Sequence, residues 1–222
     1  MPRPNKSQER RTELVPILAR TFADLGYRRT TTAELAGRCG VRENILYRLW
    51  PDKRAMFVAA LDFVYEVSEA TWDEILAQAE DGTSPAELIL DHESTHHGEF
   101  GLYRIVFAGL SETDDPEIAK ALKRLYGRFQ RFIHKQVKAH REGHPEPAAT
   151  DPALVAWAIV GLGTVANIGR ELGLLSASAR KRLVGEVGRA LLGESGGRLA
   201  TTRAARDRAR VPGRPRRAGP RP

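Results

Sequence analysis

Histidine and glutamate are concentrated in one short polar stretch, and their spacing could support metal chemistry. The segment from His92 to His96 reads H-E-S-T-H, which literally satisfies the H-E-x-x-H pattern of zinc hydrolases. In that chemistry the two imidazoles bind Zn²⁺ and the glutamate, here Glu93, acts as general base. No third ligand is evident, so a solvated helix face is the favoured interpretation. His92 and His96 stay a weak metal candidate and a zinc hydrolase a remote alternative, and we expect no cofactor and no catalytic residue.

A second set of polar side chains lies where two short helical patterns meet. The patterns cover residues 32–39 and 43–49, and a tight turn at Gly40 joins them. Glycine can adopt the positive φ that such a turn needs, and Ala36 and Cys39 are small enough to let the second helix cross closely. This geometry is that of a helix-turn-helix. The second helix would present side chains able to reach base edges and phosphates in a DNA major groove, namely Arg42, Glu43, Asn44, Tyr47 and Arg48.

Residues 26–57 also follow a longer sequence pattern. It runs Gly-Tyr, a Thr before the first short helix, Leu-Ala inside that helix, Gly-Val in the turn, Leu-Tyr and an aromatic residue, and Lys where the next helix begins. The segment resembles the tetracycline-repressor (TetR) family of bacterial regulators. The matching positions are Gly26, Tyr27, Thr31, Leu35, Ala36, Gly40, Val41, Leu46, Tyr47, Trp50 and Lys53. Beyond this segment and the helix before it, the chain matches the family only in length and helical character.

The resemblance implies a set of DNA-binding residues. The candidates are Thr31, Thr32, Arg42, Glu43, Asn44, Tyr47, Arg48 and Lys53. By resemblance, Thr31, Tyr47 and Lys53 would position the DNA phosphates, while the two arginines and the asparagine would be candidates for contacts to bases. A three-helix bundle that binds no DNA is the alternative interpretation of the same motif.

Three positions depart from the family pattern. Arg42 stands where the family often has Ser or Thr as the N-cap, and losing such a cap typically costs about 1 kcal/mol. Pro16 falls inside the expected first helix, so we predict that this helix begins near Val15 or kinks there. Trp50 replaces a usual Phe, which is tolerable if the larger ring packs against the fourth helix.

Charge is distributed unevenly along the chain, whose net charge is +7. Residues 1–60 carry 12 Lys and Arg against 6 Asp and Glu, residues 61–195 carry 14 against 21, and residues 196–222 carry 9 against 1. A basic head on an acidic body favours a polyanion at one end, because clustered cations make the phosphate contacts. Solvated charge without a partner is the alternative.

The number of cysteines and the distribution of apolar residues indicate the cellular compartment of the protein. Cys39 is the one cysteine, which excludes an internal disulfide framework and fits a reducing environment. We find no apolar run approaching the roughly 20 residues that span a bilayer, and the N-terminal segment lacks the apolar core of a signal peptide. We therefore expect a cytoplasmic protein with no membrane partner.

Residues typical of helix starts and ends recur throughout the chain, and no segment alternates apolar and polar residues as a strand would. This pattern predicts an all-α fold. Thr31-x-x-Glu34 and Ser84-Pro-Ala-Glu87 read as capping boxes. We expect a helix-turn-helix domain over 1–55, a helical effector-binding and dimerisation domain over 56–195, and a basic disordered tail over 196–222. The nine predicted helices cover 8–25, 32–39, 43–49, 53–79, 84–97, 100–110, 115–141, 151–172 and 176–193.

Two sites in the body are implied by the resemblance. The eighth helix is apolar almost all round, and by resemblance it would form a dimer interface with the last helix, through Trp157, Gly161, Val165, Leu183 and Val187. Large apolar and aromatic residues would enclose an effector cavity, namely Trp72, Phe100, Tyr103, Phe107, Leu110 and Trp157. Core packing explains these residues equally well.

The resulting functional hypothesis is a homodimeric, sequence-specific regulator that binds double-stranded DNA. Two recognition helices related by a two-fold axis require a palindromic operator, with half-sites about 34 to 36 Å apart. An unknown small-molecule effector that widened this spacing would release a repressor from its operator. The alternative is a DNA-binding regulator or architectural protein with no small effector.

Overall fold

The structure is a computed structural model that describes residues 6–80, 82–99, 101–143 and 150–193, and across those ranges the chain forms helices and turns without a strand. The α-helices are α1 (Lys6–Leu25), α2 (Thr32–Arg38), α3 (Glu43–Leu49), α4 (Lys53–Ala77), α5 (Pro85–His96), α6 (Arg104–Leu110), α7 (Pro116–Gly143), α8 (Pro152–Glu171), α9 (Ala177–Arg182) and α10 (Gly188–Leu192). A π-helical stretch, Leu183–Val187, joins the last two. The all-α prediction is confirmed, and the basic tail expected over 196–222 lies outside the described residues.

Helix starts follow the caps that the sequence predicts. The Thr31 hydroxyl accepts the amide of Glu34 at 3.1 Å, and the Ser84 hydroxyl accepts the amide of Glu87 at 3.3 Å. Asp151 caps α8 in the same way, through the amide of Ala153 at 2.7 Å. Such caps satisfy amide groups that have no partner inside the helix.

The first helix does not begin where Pro16 suggested. It runs from Lys6 to Leu25 with Pro16 inside it, so a start near Val15 is wrong. Proline removes one amide donor from the helix interior, yet Leu14 and Leu18 on either side are buried in the core, which holds the two halves in one helix.

The long helices α4 and α7 form the centre of the body. The buried residues of α7 recur at helical spacing, including Ile118, Leu122, Leu125 and Phe129. Phe129 contacts the rings of both Tyr65 and Trp72 on α4, with centroids 5.2 and 5.8 Å apart. We call residues 1–55 the head and residues 56–195 the body. The domain boundary that we expected between them falls in the first turn of α4, and this one helix continues from the head into the core of the body.

The predicted last helix is interrupted by the π-helical stretch, where the chain passes close to α5. A Cβ added to Gly188 would lie 2.7 Å from Cδ2 of Leu90, so only glycine allows this approach. The extra residue of a π turn shifts the register of a helix. Here it brings Gly185 and Gly188, both buried, against α5.

Helix α8 corrects one expectation from the sequence. By length and composition alone its 20 residues suffice to cross a membrane, so the statement that no segment does so is wrong. A core helix of a soluble protein meets the same criterion, and 33% of the α8 window is buried inside the chain. Several of its apolar side chains therefore lie on the surface of the isolated chain.

Candidate nucleic-acid interface and body cavity

The turn between α2 and α3 has the geometry that the sequence predicts. Gly40 has φ +64°, and the amide of Val41 donates to the carbonyl of Ala36 at 3.0 Å. Leu35 and Leu46, one from each helix, are fully buried beneath the turn. These contacts fix the two short helices relative to each other, although each is only seven residues long.

One face of α3 is polar and exposed. Arg42, Asn44 and Arg48 are exposed, and their side chains make no hydrogen bond or ion pair with any part of the chain that the structure describes. Tyr47 lies between them, 48% exposed. As expected, Arg42 gives α3 no side-chain cap. The face is free to contact a ligand as large as a DNA groove.

Three of the predicted DNA-binding residues form a hydrogen-bonded group that sequence reasoning missed. The Thr32 hydroxyl donates to the Glu43 carboxylate at 2.6 Å, and the Tyr47 hydroxyl donates to the Thr32 oxygen at 3.2 Å. Glu43 is thus bonded to the start of α2 rather than extended into solvent. The group aligns α2 with α3, and a Thr and a Glu eleven residues apart carry no local signal of it.

Lys53 has a structural role in addition to the one implied by resemblance. Its ammonium donates to the carbonyls of Tyr27 and Thr30, at 3.1 and 3.0 Å, and lies 4.4 Å from the centroid of the Tyr27 ring. These contacts fix the segment before α2, and one of the three N–H donors of the ammonium remains for a phosphate.

The core beneath the interface is aromatic. Phe22 contacts Phe57 edge to face at 5.0 Å, and Tyr27 lies 4.9 Å from Phe57. Trp50 is buried, with the guanidinium of Arg11 6.0 Å from its ring centroid. Arg11 also donates to the carbonyl of Leu49 at the end of α3. The orientation of α3 is therefore set by buried rings and by an arginine of α1.

Two ion pairs join the head to the body, and nothing in the sequence indicates either. Arg28 pairs with Glu112 at 2.9 Å, and Arg54 pairs with Asp115 at 3.5 Å. Both acids lie in the turn between α6 and α7, and that turn precedes the longest helix of the body. The position of the head is thus coupled to the start of α7.

A cavity of about 80 Å³ lies among α4 to α8. Of the six residues predicted to line it, Trp72, Tyr103 and Phe107 do so. Leu110 and Trp157 do not, because their side chains point outward and are 47% and 48% exposed. Phe100 lies outside the described residues.

Four side chains that line the cavity form one polar network, namely Trp72, Glu93, His97 and Asn167. The Glu93 carboxylate accepts from the indole of Trp72 at 2.7 Å and from Nδ1 of His97 at 2.5 Å. Nε2 of His97 lies 2.9 Å from the carbonyl oxygen of Gly163 and 2.9 Å from Nδ2, the side-chain amide nitrogen of Asn167. Burial acts to raise the pKa of the Glu93 carboxyl, but the interactions with His97, Trp72 and His92 together outweigh burial and hold that pKa below its usual value. Glu93 is therefore a carboxylate at neutral pH.

The residues of the H-E-x-x-H pattern, the weak metal candidate, lie in two different environments. His92 and His96 stack on each other with centroids 4.6 Å apart, while both oxygens of Glu93 are bonded elsewhere. Burial lowers the pKa of His92. Among the residues that the structure describes, no group of three or more His, Cys, Asp or Glu side chains could hold a metal ion.

An apolar stripe runs along the outside of α8. We define it by Leu154, Trp157, Gly161, Val165, Ile168 and Leu172, which recur at steps of three and four residues. The five with side chains are 40% to 68% exposed. Of the other predicted interface residues, Val187 is also exposed, at 42%, whereas Leu183 is half-buried against the core. Exposed apolar residues in one row are characteristic of a contact with another protein.

The head and the face of α3 together define a helix-turn-helix protein of the DNA-binding class. The sequence model of the bacterial regulatory proteins of the tetR family matches residues 18–60. The nucleoid occlusion factor SlmA of Photobacterium profundum is 26% identical over 161 residues, which cover 71% of this chain and 81% of that protein. Residues 18–60 therefore resemble the N-terminal segment of TetR-family regulators, and the helix-turn-helix formed by α2 and α3 lies inside that segment, which indicates a DNA-binding regulator.

Solved structures show the same fold over the body as well. A TetR-family transcriptional regulator of Cytophaga hutchinsonii superposes with a TM-score of 0.70 at 15% identity, covering 85% of this chain and 96% of that one. FadR of Bacillus subtilis, solved in complex with stearoyl-CoA, superposes with a TM-score of 0.66 at 12% identity, covering 82% and 97%. The proteins found in these comparisons are regulators rather than enzymes.

Proposed function

We propose that this protein is a cytoplasmic homodimeric repressor that binds a palindromic operator and is released from it by a small-molecule effector. One observation carries the proposal: the chain has both an exposed polar face on α3 and an apolar stripe on α8. We call the α3 face, formed by Arg42, Asn44, Tyr47 and Arg48, the reading face. A single recognition helix contacts few bases, so affinity and specificity require two of them. The stripe offers the contact that would pair two chains.

We assign the reading of DNA to the head, residues 1–55. Arg42, Asn44 and Arg48 contact base edges from the exposed face of α3, because their side chains are long, polar and unpaired within the described chain. Thr31, Tyr47 and the remaining donor of Lys53 contact phosphates. Thr32 and Glu43 hold α2 and α3 in alignment.

We assign dimerisation and effector binding to residues 56–195. In the dimer, the stripes of two α8 helices pack against each other, and Val187 adds to the contact from the last helix. Gly161 lies at the centre of the stripe, where a Cβ would meet no neighbouring atom of the described chain within 4 Å. That open space allows close approach of a second helix.

Release by an effector would use the contacts between head and body. Expansion of the cavity displaces α6 and α7, and the pairs Arg28–Glu112 and Arg54–Asp115 carry that movement to the head. Because both heads must fit the groove at one fixed spacing, a small rotation of each suffices to abolish simultaneous binding.

The proposal is tested by selecting DNA from a random pool with purified protein and footprinting the winning sequence. We expect two protected half-sites related by a dyad, with centres one helical turn apart. In parallel, Trp157→Arg is compared with wild type by sedimentation, and the variant should be monomeric. A protected site without two-fold symmetry, or a dimeric Trp157→Arg variant, would refute the proposal.

The similarity to nucleoid occlusion factors supports a second candidate, a DNA-binding protein that acts at many chromosomal sites with no small effector. The cavity is small, and the Glu93 and His97 side chains in it already bond to each other. Both observations are compatible with this interpretation. Mapping bound DNA across the genome separates the two. A repressor occupies a few promoters, whereas a nucleoid-associated function predicts many sites distributed along the chromosome and away from promoters.

A further inference from the structure

The cavity of the body is apolar except at one end. Its walls are mainly aromatic and aliphatic, including Trp72, Tyr103, Phe107 and Phe129. The ionisable Glu and His side chains in its lining are Glu93 and His97, and no Lys or Arg of the described chain lines this space. Glu93 and His97 are mostly buried, with side chains 16% and 14% exposed. We call these two residues the Glu93–His97 pair.

We propose that this cavity binds a small aromatic ligand carrying one protonated amine, and that the amine replaces His97 as the partner of Glu93. The inference rests on the proposed effector-binding function of the body and adds the chemical class of the effector. A carboxylate in a cavity lined by aromatic rings favours an organic cation, because charge attraction and cation–π contacts can act together.

An anionic ligand fits the same space poorly. The single basic group in the wall, within the described chain, is His97, and its Nδ1 already donates to Glu93 at 2.5 Å. An anion would have to lie beside the Glu93 carboxylate, whose pKa is lowered so that it keeps its negative charge at neutral pH. Like charges in a poorly solvated site repel strongly.

Replacement of His97 has a structural consequence. The imidazole joins the end of α5 to α8, since Nε2 lies 2.9 Å from the carbonyl oxygen of Gly163. A Cβ on Gly163 would lie 2.9 Å from the ring, so the position admits only glycine while His97 is in place. Arg170 of α8 also donates to the His97 carbonyl, at 2.5 Å. An amine that takes Glu93 therefore loosens the junction between α5 and the helix that bears the apolar stripe.

The cavity volume limits the size of the ligand. At about 80 Å³ it is roughly half as large as an engineered apolar cavity of about 150 Å³ that binds benzene. A ligand with one ring and a short aminoalkyl group thus requires a modest outward movement of side chains. Phe107 lines the cavity and is half-buried, so its ring is one that can move outward.

The experiment compares three probes of similar size on the full-length protein by calorimetric titration at neutral pH. We expect benzylamine to bind at least about tenfold more tightly than benzyl alcohol, with benzoate weakest. In Glu93→Gln the amine should lose this advantage. Glu66→Gln, which removes an exposed carboxylate from the neighbouring helix α4, is the matched control and should keep the preference.

A second variant tests the competition directly and does not depend on the folding of Glu93→Gln. His97→Gln removes the competing imidazole but keeps the carboxylate, so benzylamine should bind several-fold more tightly than to wild type. Equal binding of the three probes, no binding of benzylamine at millimolar concentration, or an unchanged preference in Glu93→Gln overturns the inference.

The same protein preparation is footprinted on its selected operator. If the two-fold protected site is present while the amine preference is absent, the ligand class is wrong and the proposed function stands. If no two-fold site is found, the proposed function fails whatever the probes do. Dissociation of the operator complex by benzylamine in wild type, and its loss in Glu93→Gln, would connect the cavity to DNA binding.

Discussion

Tyr47 and Trp157 are equally exposed, each at 48%, yet their surroundings differ completely. Tyr47 lies on a short helix among Arg42, Asn44 and Arg48, whereas Trp157 lies on a long helix among leucine and valine side chains. Water solvates the first surface well and the second poorly. The exposed fraction of an aromatic ring therefore says little about its partner, while the chemistry of its neighbours distinguishes a surface suited to a polyanion from one suited to a second protein chain.

The largest effect is expected from a charge placed in the apolar stripe. Gly161→Glu leaves the isolated fold intact, because the new side chain meets open space, but it buries a carboxylate in the proposed dimer contact. We expect a monomer by sedimentation and an operator affinity reduced on the order of a hundredfold or more, since one half-site is lost. Glu186→Gln on the exposed surface nearby serves as control. If the Gly161→Glu variant is still a dimer with normal operator affinity, the stripe is not the dimer contact.

The reading face should respond differently, by losing specificity without losing the dimer. Arg48→Ala removes one candidate base contact from each half-site, which costs about 1–3 kcal/mol per contact. We expect weaker operator binding and relaxed preference at one base position, measured by competition with single-base operator variants. Arg182→Ala, on an exposed arginine of the body, is the control. Unchanged binding and base preference in Arg48→Ala would show that this arginine does not read DNA.

Lys53 separates a structural effect from a DNA contact. Lys53→Met removes the hydrogen bonds to the carbonyls of Tyr27 and Thr30 and should lower the free energy of unfolding by about 1–2 kcal/mol. If its remaining donor also contacts a phosphate, the slope of log affinity against log salt decreases by about one. Chemical denaturation and titrations at several salt concentrations measure the two effects. Lys135→Met, an exposed lysine of α7, should change neither quantity.

The smallest effect concerns the missing cap of α3. Arg42→Ser supplies a hydroxyl that can accept the amide of Ile45, so we expect stability to rise by about 1 kcal/mol. Operator binding should weaken at the same time, because a side chain of the reading face is lost. Thermal unfolding and operator titration are measured on the same variant. A variant that is more stable and also binds normally would assign Arg42 no role in DNA recognition.

Much of the head could be predicted from local sequence. The cap at Thr31, the positive φ of Gly40 and the exposed face of α3 all depend on residues within a few positions of each other. One of the two alternatives predicted at Pro16 is wrong, since α1 does not start near Val15 but runs through the proline, in agreement with the predicted helix over 8–25. Burial of Leu14 and Leu18 outweighs the missing amide, and burial is a property of the whole fold.

The body was predictable in its helices but not in its sites. Trp157 and Leu110 were assigned to the cavity because they are large and apolar, yet the assembled helices turn them outward. The Glu93–His97 pair overlaps the zinc-hydrolase pattern only at Glu93, and its role was not evident because its members contact Trp72 and Gly163 from two other helices. Composition alone could not distinguish a wall residue from a surface residue.

The sequence by itself determined the class of the fold, the limits of most helices and the chemistry of the α3 face, because hydrogen-bonding caps, glycine conformation and helical periodicity act over short distances along the chain. Only the tertiary structure decided which apolar residues face the cavity, which form the stripe on α8, and that the Glu93 carboxylate bonds to His97 and Trp72. Those outcomes depend on how helices distant in sequence pack together, and packing selects among faces that are equally apolar in the sequence.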